Sequence, residues 1–461
     1  MRVTVVGLGY VGLVTGACMA AWGHEVTGVD SNPQRLDSLS GGKLPFHEPE
    51  LGDLVGDNMR QGRLRFTSDL VGAAATADVV IVAVGTHDGN GGWQTETIRT
   101  CLTQVVPVMS EDSTLVVRST LPPDAVSSVG GLIDRLRGSA GRPALPVLLN
   151  PEFTREGRAV RDFQNPERIV FGIVADPHGR GVAMLRQVYG ATSAPILEMD
   201  AIDAALTKLG SNLFLATKIS FANELADLCD AYGADVSMVV NGMSYDGRIG
   251  GSFLKAGVGF GGSCLPNQVT MTIRTAAQVG VDTPLLAAVE TVNGRRREQV
   301  VERTRILLDG TVRHRRIALL GLTFKPDTDD LRDAPSLDIA RGFIAAGASV
   351  VAYDPMPTAR VLARELVPGL EVVEHAMDAV VDADAAVLVT EWRDVLDLDW
   401  SLVGAAMRRR VIVDGRNVLP GRVLAEAGFA YVSFGRGSLL PEAQEPVAAA
   451  STASVSLGWE R

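Results

Sequence analysis

The sequence has few cysteines, and none of them stands in a Cys-x-x-Cys pair. The four are Cys18, Cys101, Cys229 and Cys264, far apart along the 461 residues. This pattern excludes a disulfide framework and is typical of a chain kept in a reducing compartment. The six histidines are scattered without the spacing of metal ligands, so we predict no metal site.

The sequence also lacks an excess of basic charge and any long hydrophobic run. Its formal net charge of −11 argues against nucleic acid as a partner, because phosphate binding needs a basic surface. No apolar run is long enough to span a membrane, and the chain enters a strand-like run at Val3–Val6 without a signal-peptide pattern. We therefore expect a cytoplasmic protein of two or three domains, without a membrane or nucleic-acid partner.

Strand-like and helix-like segments alternate along most of the chain, which predicts an α/β fold with parallel sheets. The strands predicted in the first 195 residues are Val3–Gly7, Glu25–Asp30, Val79–Val84, Thr114–Arg118, Val147–Asn150 and Arg168–Val174. Those predicted in a second α/β region are Arg316–Leu320, Ser349–Asp354, Ala385–Thr390 and Val411–Asp414.

One long helix is predicted between the two α/β regions, from Asp200 to Tyr232. The apolar residues that recur there every three or four positions are Leu206, Leu209, Leu213 and Ala216. Such a helix could connect domains or form a dimer surface, or it could be buried within one subunit. From residue 437 the chain is rich in Ser, Ala, Glu and Pro, which predicts a disordered tail.

A glycine-rich motif follows the first predicted strand and precedes a helix-like run. It reads Gly7-Leu8-Gly9-Tyr10-Val11-Gly12, the GxGxxG pattern of a dinucleotide site. The glycines permit a tight turn, approach of the pyrophosphate and close helix–strand packing, while the helix N-terminus offers N–H donors. Asp30, after the next strand, suits an adenosine ribose hydroxyl and favours NAD over NADP, a preference that Arg35 could weaken.

A second glycine-rich segment places one cysteine at the end of a loop. It runs from Gly257 to Pro266 and contains Cys264. A cysteine nucleophile beside a dinucleotide site could capture an aldehyde covalently and carry the carbon on to the acid level. Cys18 and Cys229 lie in helix-like runs, and we interpret them as small core residues.

With these motifs the chain resembles the UDP-glucose/GDP-mannose dehydrogenase family, most closely its UDP-glucose 6-dehydrogenase branch. The resemblance covers residues 1 to about 437. Its further motifs are Asn150-Pro151-Glu152-Phe153-Thr154-Arg155-Glu156-Gly157, Asp162-Phe163 with Asn165-Pro166-Glu167-Arg168-Ile169-Val170, Lys208 with Asn212, Asp246-Gly247-Arg248-Ile249-Gly250, Gly321–Arg332 and Asp414-Gly415-Arg416.

The resemblance implies two Rossmann-like domains joined by a central helical dimerisation region with a long helix. The implied bounds are 1–198 for an NAD-binding domain, 199–298 for the central domain with the cysteine loop, 312–436 for a nucleotide-sugar domain and 437–461 for the tail. It further implies a homodimer that oxidises the 6-hydroxyl of a nucleotide sugar to a carboxylate with reduction of two NAD.

The resemblance also implies roles for single residues. Cys264 would be the nucleophile that forms a thiohemiacetal and then a thioester, Lys208 and Asn212 would hold the reacting oxygen, Glu152 would be the acid/base, and Thr120 would help to position water. The expected cofactor contacts are Gly7, Gly9, Tyr10, Val11, Gly12, Asp30, Arg35, Thr86, Thr120, Glu156 and Arg332. The expected substrate contacts are Glu152, Phe153, Glu156, Lys208, Asn212, Arg248, Phe253, Lys255, Gly261, Phe324, Lys325 and Arg416.

The cysteine motif departs from the family pattern. The family usually continues as Cys-Phe-Pro-Lys-Asp, whereas this chain has Asn267 and Gln268 in place of the lysine and aspartate. That aspartate normally helps the catalytic water, and a glutamine does not take a proton near neutral pH. Gln268 therefore predicts slowed thioester hydrolysis, unless Glu152 carries the base role unaided. UDP-glucose is the favoured substrate; TDP-glucose, GDP-mannose and a degenerate homologue that binds without full turnover remain as alternatives.

Overall fold

The computed structural model describes residues 1–87 and 92–440. They form two compact units, each described separately below. The first unit comprises Met1–Phe221, Phe260–Gly294 and Thr323–Pro335. The second comprises Ala222–Gly259, Arg295–Leu322 and the chain from Ser336 onward.

The first unit contains an eight-stranded sheet within the described residues. Its strands are β1 (Arg2–Val6), β2 (Glu25–Val29), β3 (Leu64–Thr67), β4 (Val79–Val82), β5 (Thr114–Val117), β6 (Val147–Leu149), β7 (Ile169–Ala175) and β8 (Ile196–Asp200). The order is β3-β2-β1-β4-β5-β6-β7-β8, parallel except where β7 runs antiparallel to β6. The order reverses between β1 and β4, and ligands of doubly wound sheets bind at such a switch point.

Helices cover both faces of this sheet. They are α1 (Tyr10–Ala21), α2 (Pro33–Ser40), α3 (Leu51–Arg60), α4 (Leu70–Thr76), α5 (Glu96–Val105), α6 (Pro123–Ser139), α7 (Ala159–Gln164) and α8 (Arg180–Val188). In β4, Val79 and Ile81 belong to one hydrophobic core, whereas Val80 and Val82 belong to the core on the other face. Burial on both faces explains why this strand is apolar throughout.

The helices that continue the chain are α9 (Ala201–Tyr232), α10 (Val236–Ser244), α11 (Leu265–Gln278) and α12 (Pro284–Leu307). Helix α9 begins one residue after the predicted Asp200, which instead ends β8. The predicted apolar stripe is not one buried face, because Leu209 and Ala216 are buried while Leu206 is 51% exposed. Within the described residues, no helix is both long and apolar enough to cross a membrane.

The second unit repeats the same doubly wound order. Its strands are β9 (Arg316–Leu320), β10 (Ser349–Tyr353), β11 (Glu371–Val373), β12 (Ala385–Leu388), β13 (Val411–Asp414), β14 (Ala430–Ser433) and β15 (Ser438–Leu439), in the order β11-β10-β9-β12-β13-β14-β15. Its remaining helices are α13 (Pro335–Ala345), α14 (Pro357–Leu366), α15 (Ala376–Val380), α16 (Arg393–Leu396), α17 (Trp400–Ala406) and α18 (Gly421–Glu426).

The predicted α/β class with two Rossmann-like sheets and a long central helix is confirmed. The predicted strands are present with ends that differ by at most two residues, and β3, β8, β11, β14 and β15 were missed. The predicted tail includes β15, which pairs antiparallel with β14, so the prediction was wrong for Ser438–Leu439. Residues 441–461 of that tail lie outside the described residues.

Candidate active site

The turn between β1 and α1 is shaped for close approach of a ligand. Gly7 has φ +91°, a conformation that favours glycine. A Cβ on Gly12 would lie 1.8 Å from the main-chain oxygen of Gly7, so a larger residue does not fit there. Gly9 is the N-cap of α1, and a Cβ on it would meet nothing within 4 Å. The open helix N-terminus therefore fits the pyrophosphate of NAD.

Asp30 follows β2 and holds this turn. Its carboxylate accepts hydrogen bonds from the main-chain N–H of Leu8 (2.8 Å) and Asn32 (2.9 Å) and from Nη1 of Arg35 (2.8 Å). Burial alone would raise the pKa of Asp30, but the two N–H donors and Arg35 lower it below its usual value. A carboxylate has about four lone-pair sites, so three donors leave room for a ribose hydroxyl.

Tyr10 lies in the first turn of α1, but its hydroxyl is engaged by protein groups. It is hydrogen-bonded to the carboxylate of Glu48 and accepts from the N–H of Gly157 (3.0 Å). Glu48 is buried and also accepts from the N–H groups of Gly157 (2.6 Å) and Ala159 (2.7 Å). Sequence reasoning gave Glu48 no role, because only the fold brings it to Tyr10. Contact of the cofactor with Tyr10 and the half-buried Val11 stays a prediction.

Thr86 and Thr120 lie in the loops that follow β4 and β5. Thr86 is buried and donates from Oγ1 to the main-chain oxygen of Thr120 (2.8 Å). Both loops leave the carboxyl ends of parallel strands, next to the switch point of the sheet. The hydrogen bond therefore joins two predicted site residues at the edge where a ligand would bind.

The cysteine loop packs tightly before it reaches Cys264. A Cβ on Gly261 would lie 2.4 Å from the main-chain oxygen of Asp333, and one on Gly262 would lie 2.8 Å from the ring of Phe324. Cys264 is the N-cap of α11 and is exposed, whereas Cys18, Cys101 and Cys229 are buried, as predicted for Cys18 and Cys229. A helix N-terminus favours the thiolate form of cysteine.

Lys208 and Glu152 form a buried ion pair. Nζ of Lys208 lies 2.8 Å from Oε1 of Glu152, and the two side chains are 3% and 7% exposed. Oε2 of Glu152 accepts from the N–H (2.7 Å) and the hydroxyl (2.8 Å) of Thr154. Burial would raise the pKa of Glu152, but Lys208 and these hydrogen bonds lower it. Glu152 is therefore held as a carboxylate, and Lys208 has its counterion in place.

Asn212 lies one turn after Lys208 on α9 and reaches α11. Its Nδ2 donates to Oε1 of Gln268 (2.9 Å), a side chain that is 2% exposed. The N–H of Gln268 donates to the main-chain oxygen of Cys264 (3.0 Å). These bonds place Asn212 beside Gln268, and Lys208 lies close enough to Cys264 for its charge to act on the thiol.

The electrostatics of the Cys264 thiol combine opposing effects. Desolvation by the surrounding protein raises the pKa of the Cys264 thiol, although the side chain itself is exposed. The charge of Lys208 acts to lower that pKa. The carboxylates of Glu152 and Glu156 act to raise it. Lys208 is therefore the charged group that favours the thiolate form of Cys264.

Glu156 is surrounded by charged groups of the segment 323–335. Its Oε1 lies 3.2 Å from Nη2 of Arg332, which also pairs with Asp330 at 2.7 Å. Lys325 donates from Nζ to the main-chain oxygen of Glu156. Burial and the charge of Asp330 raise the pKa of Glu156 to about 8. Its Oε2 is buried without a hydrogen-bond partner among the residues that the structure describes.

Phe153 follows Glu152 and lies between two cations. The guanidinium of Arg168 lies 3.9 Å from its ring centroid, and Nζ of Lys208 lies 5.4 Å away. Arg168 also donates to the hydroxyl of Ser211 (3.4 Å). This packing fixes the segment that carries Glu152 against α9.

The remaining predicted substrate residues belong to the second unit. Arg248 is exposed and pairs with Asp246 at 2.6 Å, Phe253 has φ +64°, and Lys255 is exposed. Arg416 lies 3.2 Å from Glu391 and donates to the main-chain oxygen of Val389 (2.6 Å). Their contribution to the site stays a prediction. In residues 1–87 and 92–440, no group of three His, Cys, Asp or Glu stands where it could hold a metal ion.

Comparison with known proteins adds independent findings. Models of the UDP-glucose/GDP-mannose dehydrogenase family match residues 1–193 (NAD binding domain), 203–295 (central domain) and 318–421 (UDP binding domain). UDP-glucose 6-dehydrogenase of Rhizobium meliloti (strain 1021) is 37% identical over 95% of this chain and 100% of its own length. That of Pseudomonas aeruginosa is 39% identical over 95% and 98%. The solved structure of a UDP-glucose dehydrogenase from Pyrobaculum islandicum superposes with a TM-score of 0.83 at 35% identity, covering 91% of this chain and 95% of that one.

Proposed function

The chain belongs to the UDP-glucose/GDP-mannose dehydrogenase family and is an NAD-dependent nucleotide-sugar dehydrogenase, and from that premise we propose that it oxidises UDP-glucose at C6 to the uronic acid. The observation that carries the proposal is the cluster of Cys264, Lys208, Glu152 and Asn212 in the first unit. The 37–39% identity to UDP-glucose 6-dehydrogenases favours UDP-glucose over TDP-glucose and GDP-mannose.

The residues of the first glycine-rich turn and Asp30 would hold NAD, which when bound accepts hydride from C6 in each of the two oxidations, while the proton of the oxidised hydroxyl leaves to water. Lys208 supplies a positive charge beside the sugar's reacting oxygen, and such a preorganised charge stabilises a developing oxyanion. Asn212 lies one helical turn after Lys208 on α9 and forms a hydrogen bond with the same oxygen. Cys264 Sγ bonds to the aldehyde carbon, and the resulting thiohemiacetal oxygen takes the proton that the thiol releases.

After the second oxidation the acyl group stays on Cys264 as a thioester until water attacks it. Gln268 stands beside Asn212 but does not accept a proton near neutral pH. The pKa of Glu152 is lowered and its carboxylate is paired with Lys208, which makes it a weak base. Glu156 has a pKa of about 8 and an unpartnered oxygen, so it becomes the stronger base of the two as the pH rises. Near neutral pH most of Glu156 is still protonated, so none of the three side chains is an efficient base. Hydrolysis is therefore the slow step of the proposed cycle.

We further propose a homodimer formed through α9. Phe214 and Phe221 lie seven residues apart on this helix and are 64% and 49% exposed, and Leu206 adds a third exposed apolar side chain. Apolar residues seven apart share one helix face, and large exposed apolar patches mark interaction surfaces. The mass of the native protein by light scattering tests the dimer. The reducing cytoplasm remains our proposal for its location.

The substrate is tested by NADH absorbance with UDP-glucose, TDP-glucose and GDP-mannose at equal concentration. We expect the highest kcat/KM for UDP-glucose. A higher kcat/KM for TDP-glucose or GDP-mannose would mean that the enzyme prefers another nucleobase or another sugar. Absence of NADH with all three, together with retained binding of NAD and UDP-glucose by calorimetry, would instead indicate a degenerate homologue.

A further inference from the structure

A buried arginine of the first unit lies close enough to Glu152 for its charge to act on that carboxylate. Arg118 follows β5 at its carboxyl end and is 5% exposed. No carboxylate of the described residues forms an ion pair with it. Burying an unpaired cation is unfavourable unless its N–H groups are hydrogen-bonded. The acceptors of these hydrogen bonds therefore show which parts of the fold Arg118 holds in place.

The guanidinium of Arg118 joins the ends of two strands. Its Nη1 donates to Oδ1 (2.6 Å) and the main-chain oxygen (3.3 Å) of Asn150, which follows β6. It also donates to the hydroxyl of Tyr189 (3.1 Å), which itself donates to Asn150 Oδ1 (2.7 Å). Its Nε donates to Thr15 Oγ1 on α1 (2.9 Å). The group therefore connects the end of β5, the end of β6 and the cofactor-binding helix.

The two strand ends carry catalytic residues at short range. Thr120 stands two residues after Arg118, and Glu152 stands two residues after Asn150. Asn150 Nδ2 donates to the main-chain oxygen of Val170 (2.9 Å), which extends the connection to β7. A movement of the Arg118–Asn150 contact would therefore displace Thr120 and Glu152 together.

We propose that Arg118 is a positioning residue: it fixes Thr120 and Glu152 through the ends of β5 and β6 and provides a second positive charge behind Glu152, in addition to Lys208. The charge of Arg118 is among the causes that lower the pKa of Glu152, after those of Lys208 and Thr154. The proposal concerns geometry within the first unit and rests on the proposed reaction only for its kinetic test.

A second buried arginine of the same unit supplies a matched control. Arg137 on α6 is 1% exposed and donates to the main-chain oxygens of Pro143 (2.8 Å), Val106 (3.2 Å) and Met109 (2.8 Å). None of these three acceptors lies at the carboxyl end of β5 or β6. Replacing it removes a buried guanidinium of similar exposure without touching the catalytic cluster.

The kinetic test compares Arg118→Met, Arg118→Lys and Arg137→Met with the unchanged enzyme. We expect Arg118→Met to lower kcat about 10²-fold with little change in KM, because a displacement of about 1 Å can cost that much. Arg118→Lys should recover part of the loss through its charge. Arg137→Met should lower Tm while leaving kcat at 25 °C within about twofold. An equal effect of both Met variants on kcat would overturn the proposal.

A second readout does not require turnover of UDP-glucose. The rate of Cys264 alkylation by iodoacetamide is measured against pH, because the pKa of the thiol depends on the charged groups around it. The charged groups facing it are Lys208 on α9, Glu152 and Glu156 after β6, and Arg332. Without Arg118 the negative charge of Glu152 is offset less, and that charge raises the pKa of the thiol. The alkylation profile of Arg118→Met should therefore shift to higher pH, and that of Arg137→Met should not. An unshifted profile in a folded Arg118→Met would contradict the proposal even if no substrate were oxidised.

Arg118→Met could fail to fold, and Tyr189→Phe then serves in its place. It removes the hydroxyl that accepts from Arg118 and donates to Asn150, while the ring stays packed. We expect a loss of kcat of about fivefold together with a smaller shift of the alkylation profile, since one neutral hydrogen-bond partner is worth about 1 kcal/mol. A Tyr189→Phe variant with unchanged kcat and an unchanged profile would overturn the proposal.

Discussion

Exchanging Gln268 for aspartate should accelerate the release of product. The side chain of Gln268 is 2% exposed, and its Oε1 accepts from Asn212 Nδ2 at 2.9 Å. A carboxylate in this place can take a proton from an attacking water, which the amide of Gln268 cannot do. A positioned general base is typically worth about 10²–10⁴-fold in the step that it serves.

The structure places the expected gain at or below the lower end of that range. Aspartate is one methylene shorter than Gln268, so its carboxylate would sit about 1.5 Å further from Asn212, and displacements of about 1 Å can cost 10²-fold. We therefore expect thioester hydrolysis to rise about 10- to 10²-fold in Gln268→Asp. The control is Gln268→Asn, which has the shape of aspartate without its charge and should give no gain.

The assay is rapid quench followed by intact mass of the protein. In the unchanged enzyme we expect the acyl form on Cys264 to accumulate during turnover, and in Gln268→Asp we expect its fraction to fall while kcat rises. Absence of acyl-enzyme in the unchanged protein, together with equal kcat in the Asp and Asn variants, would refute the reasoning. Hydrolysis would then not depend on residue 268.

Three further predictions concern the first unit. Lys208→Met should abolish NADH formation and lower the free energy of unfolding by about 3–5 kcal/mol, measured by urea denaturation, because Glu152 is left buried without its cation; a loss below 1 kcal/mol would contradict the buried pair. Gly12→Ala should weaken NAD binding at least about tenfold by calorimetry, since its Cβ would lie 1.8 Å from the oxygen of Gly7; unchanged affinity would argue against this turn as the cofactor site. Hydrolysis of the acyl-enzyme should rise about tenfold per pH unit below pH 8 and then level off, because the pKa of Glu156 is about 8 and its ionised form is the base; a Glu156→Gln variant with the same pH profile would exclude that role.

The sequence was sufficient for the parts of the fold that rest on local pattern. The glycine-rich turn, the strand before it and Asp30 were placed correctly because their spacing is dictated by one backbone geometry. Strands such as Leu64–Thr67 were missed because four residues with mixed polarity give little periodicity. Their pairing with β2 is decided by the sheet and not by their own sequence.

The site was predictable residue by residue only where a motif carried it. Lys208 and Asn212 were grouped by the motif they share with the family, and the structure adds that Glu152 and Gln268 are their partners. Glu48 and Arg118 were not found, because each acts through contacts with residues more than thirty positions away in the chain. The raised pKa of Glu156 likewise depends on Asp330, which sequence alone does not place beside it.

The most direct measurement of the central claim is the number of NADH formed per UDP-glucose consumed, with the product identified by mass. We expect two NADH and UDP-glucuronic acid, since Cys264 retains the carbon between two oxidations at one site. One NADH with release of a 6-aldehyde would contradict the covalent capture by Cys264. No NADH from UDP-glucose would contradict the proposed substrate.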